Sequence, residues 1–562
     1  MAAATTAVPQ PGAMQIARLI VAASPADVSR RPLIGILGVV MGAGIVTLSG
    51  RLLTLGQGDL KGHLGLSFDQ GAWIGSAFNI ALMFIGPFTV YLGGLMGPRR
   101  VLMIAATAFT LLSAFLPFIH SYSLLIFTLV LAGLASGTFY PLTLTFALRN
   151  IPPRFLPFTL AFYASFVDGA VNVAPSLYGW FRDHSLWSWM FWTGAVITPV
   201  MIACIYYGIP VATPAKRSTP APSFAGFLYA SAGFAMMFGA FDQGQRLDWW
   251  RSGLFNALFF GGAFFLVCSV VRRLMGPNPL VDLPYLRQWN TQLLAVALAL
   301  FRFALLGTII LVPQTLAIHG FDAGQIGPAV IGTAAPQLLI ALIAALLLLA
   351  GMDSRLLMAI GFACIAFACI MDASATSAWS SSNFYRTELF MGVGQSFAFV
   401  GLVSTLVLQA LFSGGLAGPQ RALTFAAFFH TIRLFGGEIG VSFMGYFIAT
   451  REKFHSNLLG LHVQAGSWIT DGNIHALTAG LYSKSSGTAA ATLRAADVIG
   501  ARLRLQAFTL TYIDGFHLIA WACVGALVLA VLLRKSPLSY GELSAVEPPA
   551  RAAQLTPQEA KT

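Results

Sequence analysis

Charged residues are scarce in this chain of 562 residues. Asp, Glu, Lys and Arg together make up 9% of the sequence, whereas soluble proteins carry about 25%. Hydrophobic residues account for 57%, and the mean hydropathy is +0.77. So few charges cannot cover the surface of a water-soluble protein of this length. A soluble multidomain protein is therefore excluded, and we expect an all-α polytopic membrane protein.

Cysteines and metal ligands are also scarce. The five cysteines all lie inside apolar runs: Cys204, Cys268, Cys364, Cys369 and Cys523. This distribution is typical of small buried side chains and indicates neither a disulfide framework nor a metal site. The sequence also has no Walker loop, no paired metal-ligand motif and no large soluble domain. We therefore expect no enzyme, no metal and no cofactor, and ATP-driven transport is excluded on the same grounds.

The net charge of +12 could suggest a nucleic-acid partner. The basic residues, however, stand in short groups between apolar runs, such as Arg99-Arg100 and Arg272-Arg273. That pattern is typical of the cytoplasmic loops of membrane proteins. Nucleic acid is therefore excluded as a partner, and the lipid bilayer is the expected environment.

The long apolar runs predict the membrane crossings. A helix needs about 20 apolar residues to cross the hydrocarbon core, and the runs lack the alternation of barrel strands. They predict fourteen spans, at about 32–54, 72–97, 101–120, 123–148, 157–181, 186–209, 225–241, 253–271, 291–313, 327–349, 356–371, 386–412, 422–448 and 514–534.

The distribution of basic residues predicts the orientation. Eleven Lys and Arg residues fall in short loops on the presumed inner side and six, Arg51 among them, on the other, and the inner side of a membrane protein carries the excess. We therefore expect a multi-pass protein of the inner (plasma) membrane with both termini in the cytoplasm. The terminal segments 1–31 and 536–562 would be cytoplasmic tails.

Two segments interrupt the regular spacing of the spans. Residues 210–224 form a linker rich in Pro, Ser and Ala on the predicted cytoplasmic side. Residues 449–513 form a long periplasmic loop with helical stretches. The end of that loop, TLRAADVIGARLRLQAF, mixes apolar residues with arginines. It predicts either an amphipathic helix on the outer face of the membrane or a solvated connector.

Six motifs carry a resemblance to a known family. They are LGLSFDQGAWIGSAFNIA at the start of the second span, GQRLDWWRSG (244–253), LVPQTLAIHGFDAGQIG (311–327), TIRLFGGEIG (431–440), REKFHSNLL (451–459) and LRLQAFTLTYIDGF (503–516). In order and spacing the chain resembles the fourteen-span drug:proton antiporters (multidrug-resistance B type) of the major facilitator superfamily. The resemblance covers residues 32 to 535.

The resemblance implies a fold and a division of the chain. It implies two six-helix bundles, at 32–209 and 291–535, with two extra central helices at 225–271. It also implies a substrate site between the bundles near the membrane midplane and transport by alternating access. The expected partners are a small-molecule substrate, protons and, through the loop 449–513, a periplasmic adaptor with an outer-membrane duct.

The gating motifs of the family are only partly kept. In VYLGGLMGPRR the residues Gly97, Arg99 and Arg100 fit, but Gly94 and Leu95 replace the usual aspartate and arginine. The corresponding loop of the second half keeps Asp353 and Arg355. In VAPSLYG of the fifth span Pro175 and Gly179 fit.

The residues that usually couple protons in the family are missing, so the candidates must come from the charges inside the spans. A charge at membrane depth is costly and usually functional. Asp168 lies near the middle of the fifth span, with Asn172 and Pro175 on the same helical face. Asp168 is a candidate proton carrier or, alternatively, a neutral or paired residue that holds two helices together.

Three further charges stand out inside the predicted spans. Glu438 is a candidate second proton site or cation-recognition point. Arg302 either pairs with Asp168 or Glu438 or binds an anionic substrate. Arg433 matches the family's usual arginine and is expected to be structural, with a role as charge partner or in substrate binding, shared with Asn172, as the alternative. The function that follows is proton-coupled export of hydrophobic or amphipathic compounds. The alternatives are export of a specific metabolite or organic anion, and a degenerate member with weakened proton coupling.

Overall fold

The computed structural model describes residues 31–210, 224–275, 287–413, 416 and 419–545. Most of the predicted tail 1–31, most of the linker 210–224 and the last part of the tail 536–562 lie outside the described residues. Within the described ranges the chain is helical and contains no strand.

Fourteen helices of the described chain are long and apolar enough to cross a membrane, which confirms the predicted number. Short helices follow the thirteenth and fourteenth crossings. In chain order the helices are α1 (Pro32–His63), α2 (Phe68–Met96), α3 (Pro98–Phe115), α4 (Tyr122–Asn150, interrupted after Ser136), α5 (Leu156–Asp183), α6 (Trp189–Gly208), α7 (Phe224–Gly244), α8 (Gly253–Met275), α9 (Trp289–Ile318), α10 (Ala323–Leu349), α11 (Ser354–Asp372), α12 (Tyr385–Phe412), α13 (Pro419–Gly460), the short α14 (Trp468–Leu481), α15 (Thr488–Leu532) and the short α16 (Tyr540–Ala545).

The crossings form two six-helix bundles with an inserted pair. In the N-terminal bundle α1 packs against α4, α5 and α6, while α3 packs against α4 and α6. In the C-terminal bundle α11 packs against α12 and α15, and α9 packs against α12, α13 and α15. The bundles meet where α5 contacts α10 and α12, and where α13 contacts α2 and α4. The inserted helices α7 and α8 pack on each other, and α7 contacts both α2 and α13.

The two membrane faces differ. Because the number of crossings is even, α1 begins and α15 ends on the same face, which we call the tail face. On the opposite face, the hairpin face, α13 and α15 extend beyond the membrane. They have 42 and 45 residues, or about 63 and 68 Å at 1.5 Å per residue, against a hydrocarbon core of about 30 Å.

The predicted loop 449–513 is therefore helical over most of its length. Residues 449–460 continue α13, α14 packs on α15, and residues 488–513 form one uninterrupted helix with the last crossing. No proline occurs between 488 and 532 to end that helix. The predicted amphipathic segment thus lies along the axis of α15 instead of flat on the membrane. Asp514 of α15 joins the two long helices at the base of the extension, because it accepts hydrogen bonds from Arg451 (2.7 Å) and His455 (2.7 Å) on α13.

Small residues allow the closest helix crossings, as is usual in membranes. At the crossing of α11 and α12, a Cβ on Gly361 would lie 2.0 Å from the backbone nitrogen of Ala398, and a Cβ on Gly394 would lie 2.8 Å from that of Ile365. Gly525 on α15, by contrast, has open space around it. Backbone atoms cannot move aside as a flexible side chain can, so a side chain at Gly361 forces the helices apart.

We expect Gly361→Leu to destabilise the protein by more than the roughly 1–3 kcal/mol typical of an overpacked core. The midpoint of thermal unfolding of purified protein in detergent measures the effect. Gly525→Leu is the matched control, since it adds the same side chain at an open position, and it should leave the midpoint nearly unchanged. Equal midpoints for the two variants would contradict the close crossing.

Candidate functional site: charges between the bundles

Asp168 lies where the two bundles meet. It sits on α5, twelve residues after the helix begins, and its side chain is 1% exposed. Neither carboxyl oxygen has a hydrogen-bond partner in the described chain. Two arginines of the C-terminal bundle, Arg302 on α9 and Arg433 on α13, are close enough to act on it electrostatically. The carboxyl group is thus held near positive charge but is not engaged, which leaves it available to a proton or a substrate.

Arg302 lies between the two predicted carboxylates. Its electrostatic partners include Asp168 on α5 and Glu438 on α13 as well as Arg433. The absence of a side chain on Gly437 makes room for it, since a Cβ there would be 3.0 Å from the guanidinium Nε. Its Nε has no hydrogen-bond partner in the described chain. Arg302 therefore acts on both carboxylates from one position, and more strongly on Asp168 than on Glu438.

Arg433 joins the bundles through an aromatic ring. Its guanidinium carbon lies 3.9 Å from the ring centre of Tyr140 on α4, a cation–π contact. The same ring stacks on His430 of α13 with centroids 5.0 Å apart, and the Tyr140 hydroxyl shares a short hydrogen bond with Thr47 of α1. His430 is 1% exposed and neither ring nitrogen has a partner in the described chain. No sequence pattern singles out His430, since a single His in an aromatic run usually belongs to the core.

Glu438 faces the inserted helix α7. Ser442, one turn further along α13, donates hydrogen bonds to Glu438 (3.5 Å) and to the carbonyl of Phe241 (2.8 Å). Asp242 on α7 is the nearby charge that acts on Glu438 most strongly. Ser76 of α2 and Gln243 hydrogen-bond to Asp242. The inserted pair therefore supplies a second carboxylate to this region, which sequence analysis missed because Asp242 follows the predicted end of the seventh span.

Asn172 crosses the interface as a donor. Its side-chain amide donates a 2.7 Å hydrogen bond to Gln395 on α12. Arg51 makes a second link between the bundles, since it donates to the carbonyl of Ile309 (2.9 Å) in a π-helical turn of α9. The first span was predicted to end at 54, and Arg51 was counted with loop residues. The structure extends α1 to His63, so Arg51 lies twelve residues inside the helix.

Close backbone contacts hold α5 against α10 on the hairpin face. Ser176 donates a 2.7 Å hydrogen bond to the carbonyl of Gly327. A Cβ on Gly179 would lie 2.8 Å from the carbonyl oxygen of Ala323, and one on Gly324 would lie 2.6 Å from a carboxyl oxygen of Asp183. Pro175 is buried within α5, just before this contact. The predicted motif residues Pro175 and Gly179 therefore belong to a contact between the bundles.

The loop residues of the predicted gate lie on the tail face. Gly97 ends α2 with a φ of +85°, a conformation that favours glycine. Arg99 donates a 2.8 Å hydrogen bond to the carbonyl of Tyr206 on α6, and Arg100 is exposed. These bonds remain inside the N-terminal bundle, which fits the loss of the acidic latch residue at Gly94.

Asp353, the N-cap of α11, and Arg355 in its first turn form a local ion pair of 2.7 Å, and Arg355 also donates to the carbonyl of Leu533 (2.5 Å) at the end of α15. Partial burial acts to raise the pKa of Asp353, but the hydrogen bonds and the charge of Arg355 outweigh it and hold the pKa below its ordinary value. The pair therefore fastens α11 to α15 within the C-terminal bundle.

The comparisons with known proteins agree with this geometry. The model of the Major Facilitator Superfamily matches residues 33–441. The chain belongs to the major facilitator superfamily. It is 24% identical over 422 residues to the multidrug export protein EmrB of Haemophilus influenzae, covering 74% of this chain and 80% of that protein. It is 27% identical over 412 residues to the probable multidrug resistance protein EmrY of Escherichia coli, covering 71% and 77%.

A third relative and a solved structure complete the comparison. The fatty acid resistance protein FarB of Neisseria gonorrhoeae is 25% identical over 408 residues, covering 72% of this chain and 78% of that protein. The proton:xylose symporter XylE has a solved structure with a TM-score of 0.51 and 12% identity, covering 91% of this chain and 98% of that one. That likeness supports the superfamily fold alone. Two of these relatives, EmrB and EmrY, carry multidrug export or resistance in their names, and the six motifs resemble the same type of transporter.

Proposed function

We propose that this protein is a secondary active transporter that exports hydrophobic or amphipathic compounds across the inner membrane in exchange for protons. The observation that carries the proposal is Asp168, a buried carboxyl group without a hydrogen-bond partner in the described chain, at the contact between two bundles. Proton binding there removes its attraction to Arg302 and Arg433 on the opposite bundle. Loss of that attraction favours separation of the bundles on one side of the membrane.

In this proposal the tail face lies in the cytoplasm, because the short loops on that side carry the excess of basic residues. A proton enters from the hairpin face and leaves at the tail face, while the substrate moves in the opposite direction. The contact of α5 with α10 opens and closes the hairpin face. Alternating access of this kind is the usual motion of two-bundle transporters.

A growth-inhibition panel tests the proposal most broadly. Cells with and without the gene are exposed to cationic dyes, uncouplers, antibiotics and aromatic acids. Export predicts higher tolerance of at least one hydrophobic compound in cells that carry the gene, and loss of that tolerance for the Asp168→Asn variant. Equal growth with every compound would contradict export. Tolerance that survives collapse of the proton gradient would favour a member with weakened coupling.

The second candidate function is export of an organic anion, and the arginines favour it. Arg51, Arg302 and Arg433 lie along the contact between the bundles, and Arg302 and Arg433 each retain an Nε without a partner in the described chain. A carboxylate substrate would find two guanidinium groups there. Protection confined to the aromatic acids of the panel would select this function over general drug export.

We further propose that the hairpin extension, residues 449–513, meets a periplasmic adaptor that leads to an outer-membrane duct. Large apolar side chains are exposed on it, including Trp468 (83%), Leu493 (70%) and Leu461 (64%). Exposed apolar groups outside the lipid commonly mark contacts with partner proteins. A pull-down of the adaptor from membranes should fail when residues 470–500 are deleted. Unchanged binding in that deletion would refute the contact.

A further inference from the structure

Two buried carboxyl groups in the C-terminal bundle have no part in the mechanism described so far. They are Glu388, near the start of α12, and Asp372, at the end of α11, and both are 0% exposed. Both lie in the hairpin half of the bundle, because α11 ends and α12 begins on that face. The sequence does not single them out, because they fall within two residues of the predicted ends of their spans.

Glu388 is only partly satisfied by hydrogen bonds. Its Oε2 accepts from Thr308 on α9 (3.2 Å) and from Thr333 on α10, whereas its Oε1 has no partner in the described chain. Asp372 lies beside Thr387 but has no well-formed hydrogen bond to either carboxyl oxygen. Both groups therefore have oxygen atoms that can take up a proton without breaking a bond.

The surroundings of the pair contain no compensating cation in the part of the chain that the structure describes. The titratable groups that interact with Asp372 and Glu388 are each other and the thiol of Cys369 on α11, which in turn faces Cys523 on α15. Threonine hydroxyls supply the remaining polar contacts. Two adjacent carboxylates that are buried without a cation cannot both be ionised, and such pairs share a proton.

A chain of hydrogen bonds joins Glu388 to the opposite bundle. The hydroxyl of Thr308 donates to Glu388 and accepts from the amide of Gln395 at 3.1 Å. The carbonyl oxygen of Gln395 accepts from Asn172 on α5 at 2.7 Å. Asn172 lies one helical turn from Asp168. The protonation state of Glu388 therefore acts on the contact that the proposed proton carrier shares with the C-terminal bundle.

Thr308 also lies in the π-helical turn Gly307–Leu311. The next residue, Ile309, offers the carbonyl that binds Arg51 of α1. Turns of this type are frequent at functional sites. One short turn of α9 thus carries a side chain bonded to Glu388 and a carbonyl bonded to the N-terminal bundle. A change at Glu388 therefore affects both the hydrogen bond between Asn172 and Gln395 and the one between Arg51 and Ile309.

We propose that Glu388 and Asp372 form a second proton-binding site, loaded from the hairpin face, that controls the attachment of the α9 turn to the N-terminal bundle. The pair already shares one proton, and a second proton from the water on that face converts the remaining carboxylate to a carboxylic acid. Loss of the negative charge weakens the hydrogen bonds that Thr308 and Thr333 donate to Glu388, and so changes the bonds that continue through Gln395 to Asn172. The effect of this site on transport rests on the proposed function, whereas proton binding at the site does not.

Infrared spectroscopy of the purified full chain in lipid nanodiscs tests the proton site. A protonated carboxyl group gives a carbonyl band that shifts in heavy water. We expect one component of this band to be lost in both Glu388→Gln and Asp372→Asn and to remain in Asp168→Asn. Asp497→Asn, at an exposed position of α15, is the matched control and should leave the band unchanged. Spectra of Glu388→Gln and Asp372→Asn identical to the wild type would overturn the site.

The rate of disulfide cross-linking tests whether the proton site controls the contact between the bundles. Cysteines in place of Asp183 and Gly324 face each other across the hairpin face, and cysteines in place of Ser354 and Thr405 face each other inside the C-terminal bundle, where the hydroxyl oxygens are 2.8 Å apart. The second pair gives the pH dependence of thiol oxidation itself. We therefore divide the rate of disulfide formation by the first pair by the rate of the second pair. We expect this ratio to change with pH, and we expect Glu388→Gln to abolish the change.

The conservative variant Glu388→Asp keeps a carboxyl group and should keep the pH dependence. Size-exclusion profiles that match the wild type show that each variant is folded. A pH profile of Glu388→Gln equal to that of the wild type would show that Glu388 does not control the attachment of the α9 turn to the N-terminal bundle. If the infrared band is lost in Glu388→Gln while the growth panel finds no substrate, only the transport proposal fails.

Discussion

Asp168→Asn is expected to abolish proton-driven transport and leave the fold intact. The amide has the size and shape of the carboxyl group but cannot release or accept a proton in the pH range of cells. The substitution breaks no hydrogen bond, since both carboxyl oxygens lack partners in the described chain. It also removes a buried negative charge beside Arg302 and Arg433. Transport should therefore fall to background while expression and the unfolding midpoint stay close to those of the wild type.

Uptake of ethidium into inverted membrane vesicles, which corresponds to export from the cell, measures this effect. The imposed proton gradient drives dye movement in the wild type, and its collapse by an uncoupler gives the background rate. Asp168→Glu keeps a titratable group and should retain part of the activity. Asp497→Asn removes an exposed carboxylate and should retain all of it. Full proton-driven uptake by Asp168→Asn would remove Asp168 from the mechanism.

A disulfide between cysteines at positions 183 and 324 is expected to stop transport completely and reversibly. Asp183 ends α5, Gly324 begins α10, and a Cβ on Gly324 would lie 3.4 Å from the carboxyl carbon of Asp183. A sulfur atom in place of that carbon is within reach of a disulfide. The bond would fasten the two bundles together on the hairpin face, so a cycle that opens this face cannot proceed.

The same ethidium assay, run before and after oxidation, measures the block, and reduction should restore activity. The pair at Ser354 and Thr405 is the matched control because both residues belong to the C-terminal bundle. Its oxidation should leave transport unchanged, since the bundle moves as a unit. Continued transport by the oxidised 183–324 pair, with the cross-link verified by mass spectrometry, would show that the hairpin face does not open at this contact.

The number of spans could be predicted from sequence because each crossing must present about 20 apolar residues to lipid. The lengths of the helices could not, because hydropathy reports only the part inside the bilayer. Residues 449–460 and 488–513 are polar enough to resemble loops, yet they continue α13 and α15. For the same reason the predicted end of the first span fell short of His63, and Arg51 was counted with loop residues.

The candidate site also contains residues that the sequence indicates and residues that only the structure shows. Asp168, Arg302, Arg433 and Glu438 were found because each interrupts an apolar run, and the structure brings them within electrostatic range through Arg302. Asp242, Asp372 and Glu388 lie close to predicted span ends, where a charge has an ordinary explanation in solvated headgroups. Only the packing of α7, α11 and α12 shows that Asp372 and Glu388 are buried and that Asp242 is half-buried. The bond of Arg99 to Tyr206 likewise depends on tertiary structure that no loop motif encodes.

Transport by this protein requires that two rigid bundles move about their shared contact and open the two faces alternately. Distances between spin labels measure this motion directly, with one pair at His184 and Thr376 on the hairpin face and one at Arg100 and Lys535 on the tail face, all exposed positions. We predict that a change of pH moves the two distances in opposite directions, one pair separating as the other approaches. Two distances that stay fixed, or that increase together, would contradict the account.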